Sequence, residues 1–255
     1  MPKMLGRLPH DPLQLARAPQ LAPRLAGMTA PRMIDRSAIQ FTPCLDDNDT
    51  IGDCTAVALA NCARGAAALH GDMRFHIPTF KVVDFYAQST GYNPLDPATD
   101  KGGVMAVVLA SQQRSGFYIE DRDIPLEGAW GTFDPQNRDL LRVAIDVIGP
   151  VNLGVSLALS DQSMDIWDTD APAEAGDPTP GSWGGHALMI WDYTGTADTD
   201  LVRLGTWGEW KQATWRWVAS RAVEAHGIAW QRFGPAERGL DYEALLADAA
   251  LFTDV

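Results

Sequence analysis

Asn48-Asp-Thr-Ile-Gly-Asp-Cys54-Thr-Ala-Val-Ala-Leu-Ala-Asn-Cys62-Ala-Arg64 is the stretch on which the reading of this chain turns. From Cys54 onward it is rich in alanine and apolar on most sides. That pattern predicts a buried helix from Cys54 to His70, with Asp53 as its N-cap and Gly71 as its stop. Cys54 then stands in the first turn, where unpaired backbone N–H groups and the helix dipole favour a thiolate and can hold an oxyanion. Asn48, six residues earlier, offers a second, side-chain donor. The plainer alternative is a buried structural thiol, the usual fate of a free cysteine. Cys62, in mid-helix among alanines, fits that alternative, and Cys44 has no evident role.

Working outward, further helices are predicted over Thr79–Ser89, Val104–Ser115 and Gln136–Ile148, the last with Leu140, Leu141, Ala144 and Val147 at helical spacing. The period then changes. Val151–Leu159, Gly185–Tyr193, Leu201–Trp207 and Gly227–Phe233 read as strands, and Ser160–Gly181 as a long polar surface loop. Trp215–Ala225 is ambiguous but can be helical, and Asp241–Leu251 reads as a short amphipathic helix. Helices first and strands later give an α+β chain without alternating βαβ units.

The chain has 255 residues, 46% of them hydrophobic, enough for one large domain or two packed lobes. Its net charge of −13 repels phosphate, which argues against nucleic acid or anionic membrane as the main partner. No apolar run approaches the ~18 residues of a membrane span, and the first 26 residues do not read as a secretory signal. Three cysteines without such a signal argue against a disulfide framework. No metal-ligand spacing is present, and Asp46–Asp53 fails the calcium-loop pattern because Ile51 occupies a ligand position. No cofactor is expected. Pro9, Pro12, Pro19, Pro23 and Pro31 mark an extended N-terminal arm lying over the body, or an irregular surface segment.

His186 lies in Ser182-Trp-Gly-Gly-His-Ala-Leu-Met-Ile-Trp191, where two glycines clear one side of the ring and an apolar run anchors it on a strand. A histidine so placed, facing a helix N-terminus, can act as general base and then general acid. The alternative is a strand-edge histidine satisfied by backbone. Gly205-Thr-Trp-Gly208 can wall the same cleft, with Trp207 shielding the ring, or simply pack.

Together these segments resemble the papain-like cysteine peptidases. That family places its nucleophile in Gln-Gly-x-x-Gly-Ser-Cys-Trp-Ala-Phe, and Asn48–Val57 is similar to it. The family's histidine motif resembles Gly185–Tyr193, and its Asn-Ser-Trp-Gly segment resembles Gly205–Gly208. Gly102-Gly103 followed by a helix and Ser115–Glu120, and the Gly149-Pro-Val stretch, run in the family's order too, so the resemblance covers about residues 34 to 218. It implies a two-lobed fold with a helical lobe over about 45–148 and an antiparallel β-rich lobe over about 149–233, with the cleft between them. Residues 1–33 would form the arm and 236–255 a helical tail. It also implies Cys54 as nucleophile and His186 as base, with the Cys54 N–H and Asn48 as oxyanion donors. Gly102, Gly103, Gly185 and Trp207 would line the substrate cleft. Gly205 stands where the family carries the asparagine that orients the histidine, which leaves Thr206, Asp192 or a backbone carbonyl for that task.

The wording of Asn48–Thr55, Thr90–Asp100, Gly181–Ala187 and Thr206–Gly208 is similar to phage- and prophage-associated members. Three functions follow as expectations. The first is a cysteine peptidase acting on a peptide or protein substrate, cytoplasmic or virion-associated. The second is a catalytically degenerate module in contact with other virion proteins, suggested by Gly205 and by an arm too short for a helical prosegment. The third is an amidase or transglutaminase-like variant of the same chemistry.

Overall fold

A computed structural model describes residues 3–119, 124–233 and 239–252. Glu120 of the expected motif and the outermost parts of the expected arm and tail lie outside the described residues.

The predicted central helix is α2, Cys54–Leu69, which follows a short α1, Pro12–Arg17. Its alanines let it lie close on the sheet: a Cβ at Gly65 would sit 2.8 Å from both Pro150 and Trp191. Next come α3, Thr79–Thr90, closed by Gly91 at φ 79°, and α4, Met105–Ser115, closed by Gly116 at φ 72°. The left-handed backbone that ends each helix is one glycine adopts at little cost. A hairpin, β1 (Phe117–Ile119) with β2 (Ile124–Leu126), leads into β3, Gly128–Phe133. After α5 (Arg138–Val147) the chain enters β4 (Val151–Leu157), β5 (Ile166–Trp167), β6 (Gly184–Tyr193), β7 (Leu201–Thr206) and β8 (Glu209–Thr214). Helix α6 (Trp215–Arg221), β9 (Ala222–Trp230) and α7 (Tyr242–Ala250) complete it.

Seven strands form one sheet in the order β3-β9-β4-β6-β7-β8-β5, antiparallel except for the β5–β8 pair. One apolar core lies around the sheet with α5 and α6, including Leu153, Ile190, Trp167 and Trp217. A second holds α2, α3 and α4 together, with Leu59, Tyr86 and Leu109.

The α+β architecture agrees with the expectation from sequence, but its partition is less clean. Strand β3 comes from the part assigned to the helical lobe, where no element was predicted, yet pairs with β9. The 160–181 stretch is not only loop, since it contributes β5 and short 3₁₀ turns. Strand β9 begins five residues before the expected Gly227. Asp53 sits at the N-cap position but its side chain makes no capping bond.

The N-terminal segment is no surface arm over its whole length. Leu21 and Leu25 are buried in the sheet core, and Leu21 N–H and Thr132 N–H bond across to Thr132 O and Pro19 O at 2.9 and 2.7 Å. Lys3–Leu8 takes a separate course, through the groove where α2 meets β6.

Candidate active site

The loop before Cys54 is pinned by the helix it opens. Asn61 bonds both the N–H and the carbonyl of Cys44, at 2.8 and 2.9 Å. Arg64 reaches back to the Asp46 carboxylate and to Ile77 O. Tyr86 donates to Asp100 at 2.5 Å, Gly52 N–H donates to the other Asp100 oxygen at 2.7 Å, and Gly102 N–H donates to Tyr86 Oη at 3.1 Å. One buried network therefore fixes the turn before Cys54 and the Gly102-Gly103 wall together. Asp100 closes the Thr90–Asp100 motif but was given no role there, and Tyr86 and Arg64 were not singled out, because each acts through partners distant in the chain.

The Cys54 thiol is buried and lies among Ala58, Met105 and Ala187. Burial pushes it up to about 12, while the backbone N–H groups of Ala187 and Gly6, directed at it, and the Arg7 charge pull the other way. Ala187 directly follows His186, so the helix tip and the histidine strand meet at this sulfur. Burial also pushes Cys62 up, and it lies against Met189 and Trp191 as packing. Asp53 is fully buried with no hydrogen bond to its carboxyl oxygens. Burial raises the carboxyl to about 9, and the Asp46 and Asp47 charges push the same way.

His186 is buried on β6, a central strand of the sheet. Its Nε2 lies 2.6 Å from Thr206 Oγ1, and its Nδ1 has no hydrogen-bond partner. Trp207 stacks on the imidazole, with centroids 4.1 Å apart and planes 14° apart, and Trp183 stacks on Trp207 in turn. Burial, then the charges of Lys3 and Arg7, hold the imidazole down at about 3. Of the groups considered for orienting the ring, Thr206 makes the contact. Asp192 does not: it lies six residues along β6, a span of about 20 Å, with its carboxylate bound to Arg203 and to Arg36 N–H. Gly205 faces elsewhere, because a Cβ there would meet Met189 and Pro43, each at 2.8 Å. An asparagine at 205 therefore has no path to His186. We expect Gly205→Asn to lower the melting temperature because its side chain must displace Met189 and Pro43. Thr206→Ala should leave the buried His186 Nε2 unpartnered and cost about 1–3 kcal/mol in urea unfolding. Unchanged stability in Thr206→Ala would contradict this.

Asn48 is buried. Its Nδ2 donates to Ile51 O at 3.1 Å, and its backbone carbonyl accepts from Met4 N–H at 3.2 Å. The groove itself is filled by the chain's own Lys3–Leu8. Gly103 N–H donates to Gly6 O at 2.7 Å, Leu8 N–H to Gly103 O at 2.9 Å and Arg7 N–H to Gly185 O at 3.2 Å. Trp207 Nε1 donates to Met4 O at 3.1 Å. All four residues expected to line a substrate cleft thus touch this segment: Gly102, whose Cβ would overlap Gly6 O, together with Gly103, Gly185 and Trp207. Gly6 is itself required, because a Cβ on it would overlap the Gly52 carbonyl. The segment offers the thiol the Gly6 N–H, and its Gly6 carbonyl is turned to Gly103. Sequence reading saw prolines in this region but had no means of threading Lys3–Leu8 into the groove.

Among the described residues no helix is long and apolar enough to cross a membrane, and no group of three or more His, Cys, Asp or Glu could hold a metal.

No protein-family model and no curated protein matches the chain. Solved structures do. Xylellain, a cysteine protease from Xylella fastidiosa, superposes with a TM-score of 0.61 at 17% identity, covering 89% of this chain and 96% of its own. Digestive procathepsin L 3 of Tenebrio molitor matches at 0.56 and 12% identity, over 89% and 75% of the two chains. ProCathepsin B S9 from Trypanosoma congolense matches at 0.54 and 11%, over 89% and 83%. At these identities the likeness is one of fold, and the fold is papain-like.

Proposed function

We propose that this chain is a papain-like cysteine peptidase whose groove is closed by its own N-terminal segment. The observation that carries this reading is the meeting of Cys54, at the tip of α2, with the His186–Ala187 strand inside a groove already seating an extended peptide.

In the reaction, Cys54 Sγ attacks the scissile carbonyl carbon. His186 accepts the thiol proton and later delivers it to the leaving amine, so the C–N bond breaks as a thioester forms, and water then hydrolyses the thioester. If Nε2–H donates to Thr206, the Nδ1 lone pair is the one free to take that proton. Thr206 is then the positioning residue, and its neutral hydroxyl steadies the imidazolium less than a charged partner would. The Cys54 N–H and the second amide hydrogen of Asn48 are the oxyanion donors in this scheme. In the closed state the thiol is protonated and the imidazole neutral. The segment is also seated with an amide N–H, in place of a carbonyl carbon, at the sulfur. Both features support a latent enzyme.

The test is turnover of a mixed peptide library by the chain after limited proteolysis of its first residues. Turnover should vanish in Cys54→Ala and persist in Cys62→Ala. Persistence in Cys54→Ala would overturn the assignment.

The phage association, and with it a role as a virion component, rests on the motif wording of Asn48–Thr55 and Gly181–Ala187. In that second reading, the neutral Thr206 hydroxyl on the imidazole and the closed groove are the supporting features. Copurification with virions together with no turnover on the library would favour it over the peptidase.

A further inference from the structure

Helix α4 starts beside Cys54, where Met105 packs on the thiol, and ends one helix length away, ~15 Å along its axis. At that far end a cavity of about 290 Å³ opens between the helix C-terminus, the start of β3 and α7. Gln112, Gln113, Pro125, Glu127, Tyr242 and Leu246 are among the residues that line it. Gln112 is only 1% exposed, and the orientation of its amide is fixed, because Nε2 donates to Leu126 O at 3.2 Å. Leu126 stands between Pro125 and Glu127, so this bond holds the amide at the cavity wall. Its Oε1 is left as a buried acceptor with no partner among the described residues, and Gln113 Oε1 is a second. Buried acceptors of this kind cost free energy that a donor brought by a ligand recovers.

The charges around the cavity favour a cation. Glu127 places a carboxylate on its exposed rim, and the end of α4 adds the negative pole of an 11-residue helix. Arg114, the basic residue on the wall, is turned back along the helix, with Nη2 3.3 Å from Ser111 Oγ. Burial, then the Glu127 and Glu243 charges, push Tyr242 up to about 12, so it stays a neutral hydroxyl.

We propose that this cavity binds a small organic cation of the primary ammonium class. Its N–H donors meet Gln112 Oε1, Gln113 Oε1 and the Glu127 carboxylate, and its alkyl stem lies against Pro125 and Leu246. An ammonium is compact and carries three donors and no acceptor, which matches walls that offer acceptors. A metal ion is a poorer match, since among the described residues no group of three or more His, Cys, Asp or Glu could hold one. The site lies outside the groove and does not depend on the peptidase reading.

The test is a nuclear magnetic resonance titration of the isotope-labelled full chain with butylammonium chloride at constant ionic strength. Saturable shifts are expected at the Gln112 and Gln113 side-chain amides and at the Gly116 and Gly128 backbone amides. Tetramethylammonium has the charge without N–H donors, and butanol has the stem without the charge. Each should bind at least about tenfold more weakly, the size of one charge-assisted hydrogen bond. Glu127→Gln should weaken butylammonium about tenfold, and Gln112→Leu should remove its advantage over tetramethylammonium. Should Gln112→Leu fail to fold, Glu127→Gln decides alone, since Glu127 is exposed. Equal affinity for butylammonium and tetramethylammonium would reduce the effect to general attraction by a chain of net charge −13 and overturn the proposal. Unaltered binding in folded Glu127→Gln, or the absence of any saturable shift, overturns it too.

Discussion

Gly6→Val should raise the alkylation rate of Cys54 by roughly a thousandfold at neutral pH. Gly6 lies against Gly52 so closely that any Cβ overlaps the Gly52 carbonyl, a backbone atom that cannot swing aside. Valine therefore lifts Lys3–Leu8 from the groove while Leu21 and Leu25 keep the rest of the N-terminal region bolted into the core. Water then reaches a thiol that burial had pushed from 9.0 up to about 12. Each unit recovered multiplies the thiolate about tenfold, so a return to the ordinary range gives the stated factor. The imidazole, freed from burial and from the Lys3 and Arg7 charges, rises from about 3 and becomes able to share the proton. The pH profile of alkylation should accordingly move to lower pH. The measurement is the rate of iodoacetamide labelling against pH, with Cys54→Ala to separate labelling of Cys44 and Cys62. An unchanged Cys54 rate in a folded Gly6→Val chain would show that the segment does not guard the thiol.

What could be read from the sequence follows from what is local. The α2 helix announced itself because the alanines from Ala56 to Ala68 and the stop at Gly71 act within a few turns. His186 was found because Gly184-Gly185 and the apolar run after it belong to one strand. Thr206 stayed one of three alternatives, because choosing it requires knowing which residues of β7 lie on the same side of the sheet as His186. Gly205 pointing at Met189 and Pro43 answers that, and it is a fact of register between strands. Strand β3 was missed since Gly128-Ala-Trp-Gly-Thr-Phe133 has no alternation: every residue is buried, and α7 packs against it. Arg7 and Glu224, 217 positions apart, could not be paired from sequence at all. Their partnership depends on Lys3–Leu8 entering the groove and on the antiparallel register that sets Glu224 opposite Gly154.

That same pair governs the second large effect, a loss of stability in acid that belongs to Glu224. Burial alone would raise its carboxyl. The hydrogen bond and charge of His226 outweigh that, together with the charges of Arg7 and His10, and hold it at about 2 against an ordinary 4.5. Since the folded value lies below the unfolded one, the native state binds fewer protons between them. The stabilisation is thus complete above pH 4.5 and is lost as pH falls toward 2. The shift corresponds to roughly 3 kcal/mol. In Glu224→Gln the side chain keeps its shape but has no proton to take up. The wild-type chain should therefore exceed the variant by about 3 kcal/mol in urea unfolding at pH 6, in line with breaking a buried ion pair. The gap should close progressively below pH 4.5. Other carboxylates titrate in that range too, so the difference between the two chains is the quantity to follow. Curves that stay parallel down to pH 2 would mean that Glu224 is not held ionised, and that the charge facing Arg7 in the groove is not the one that anchors it.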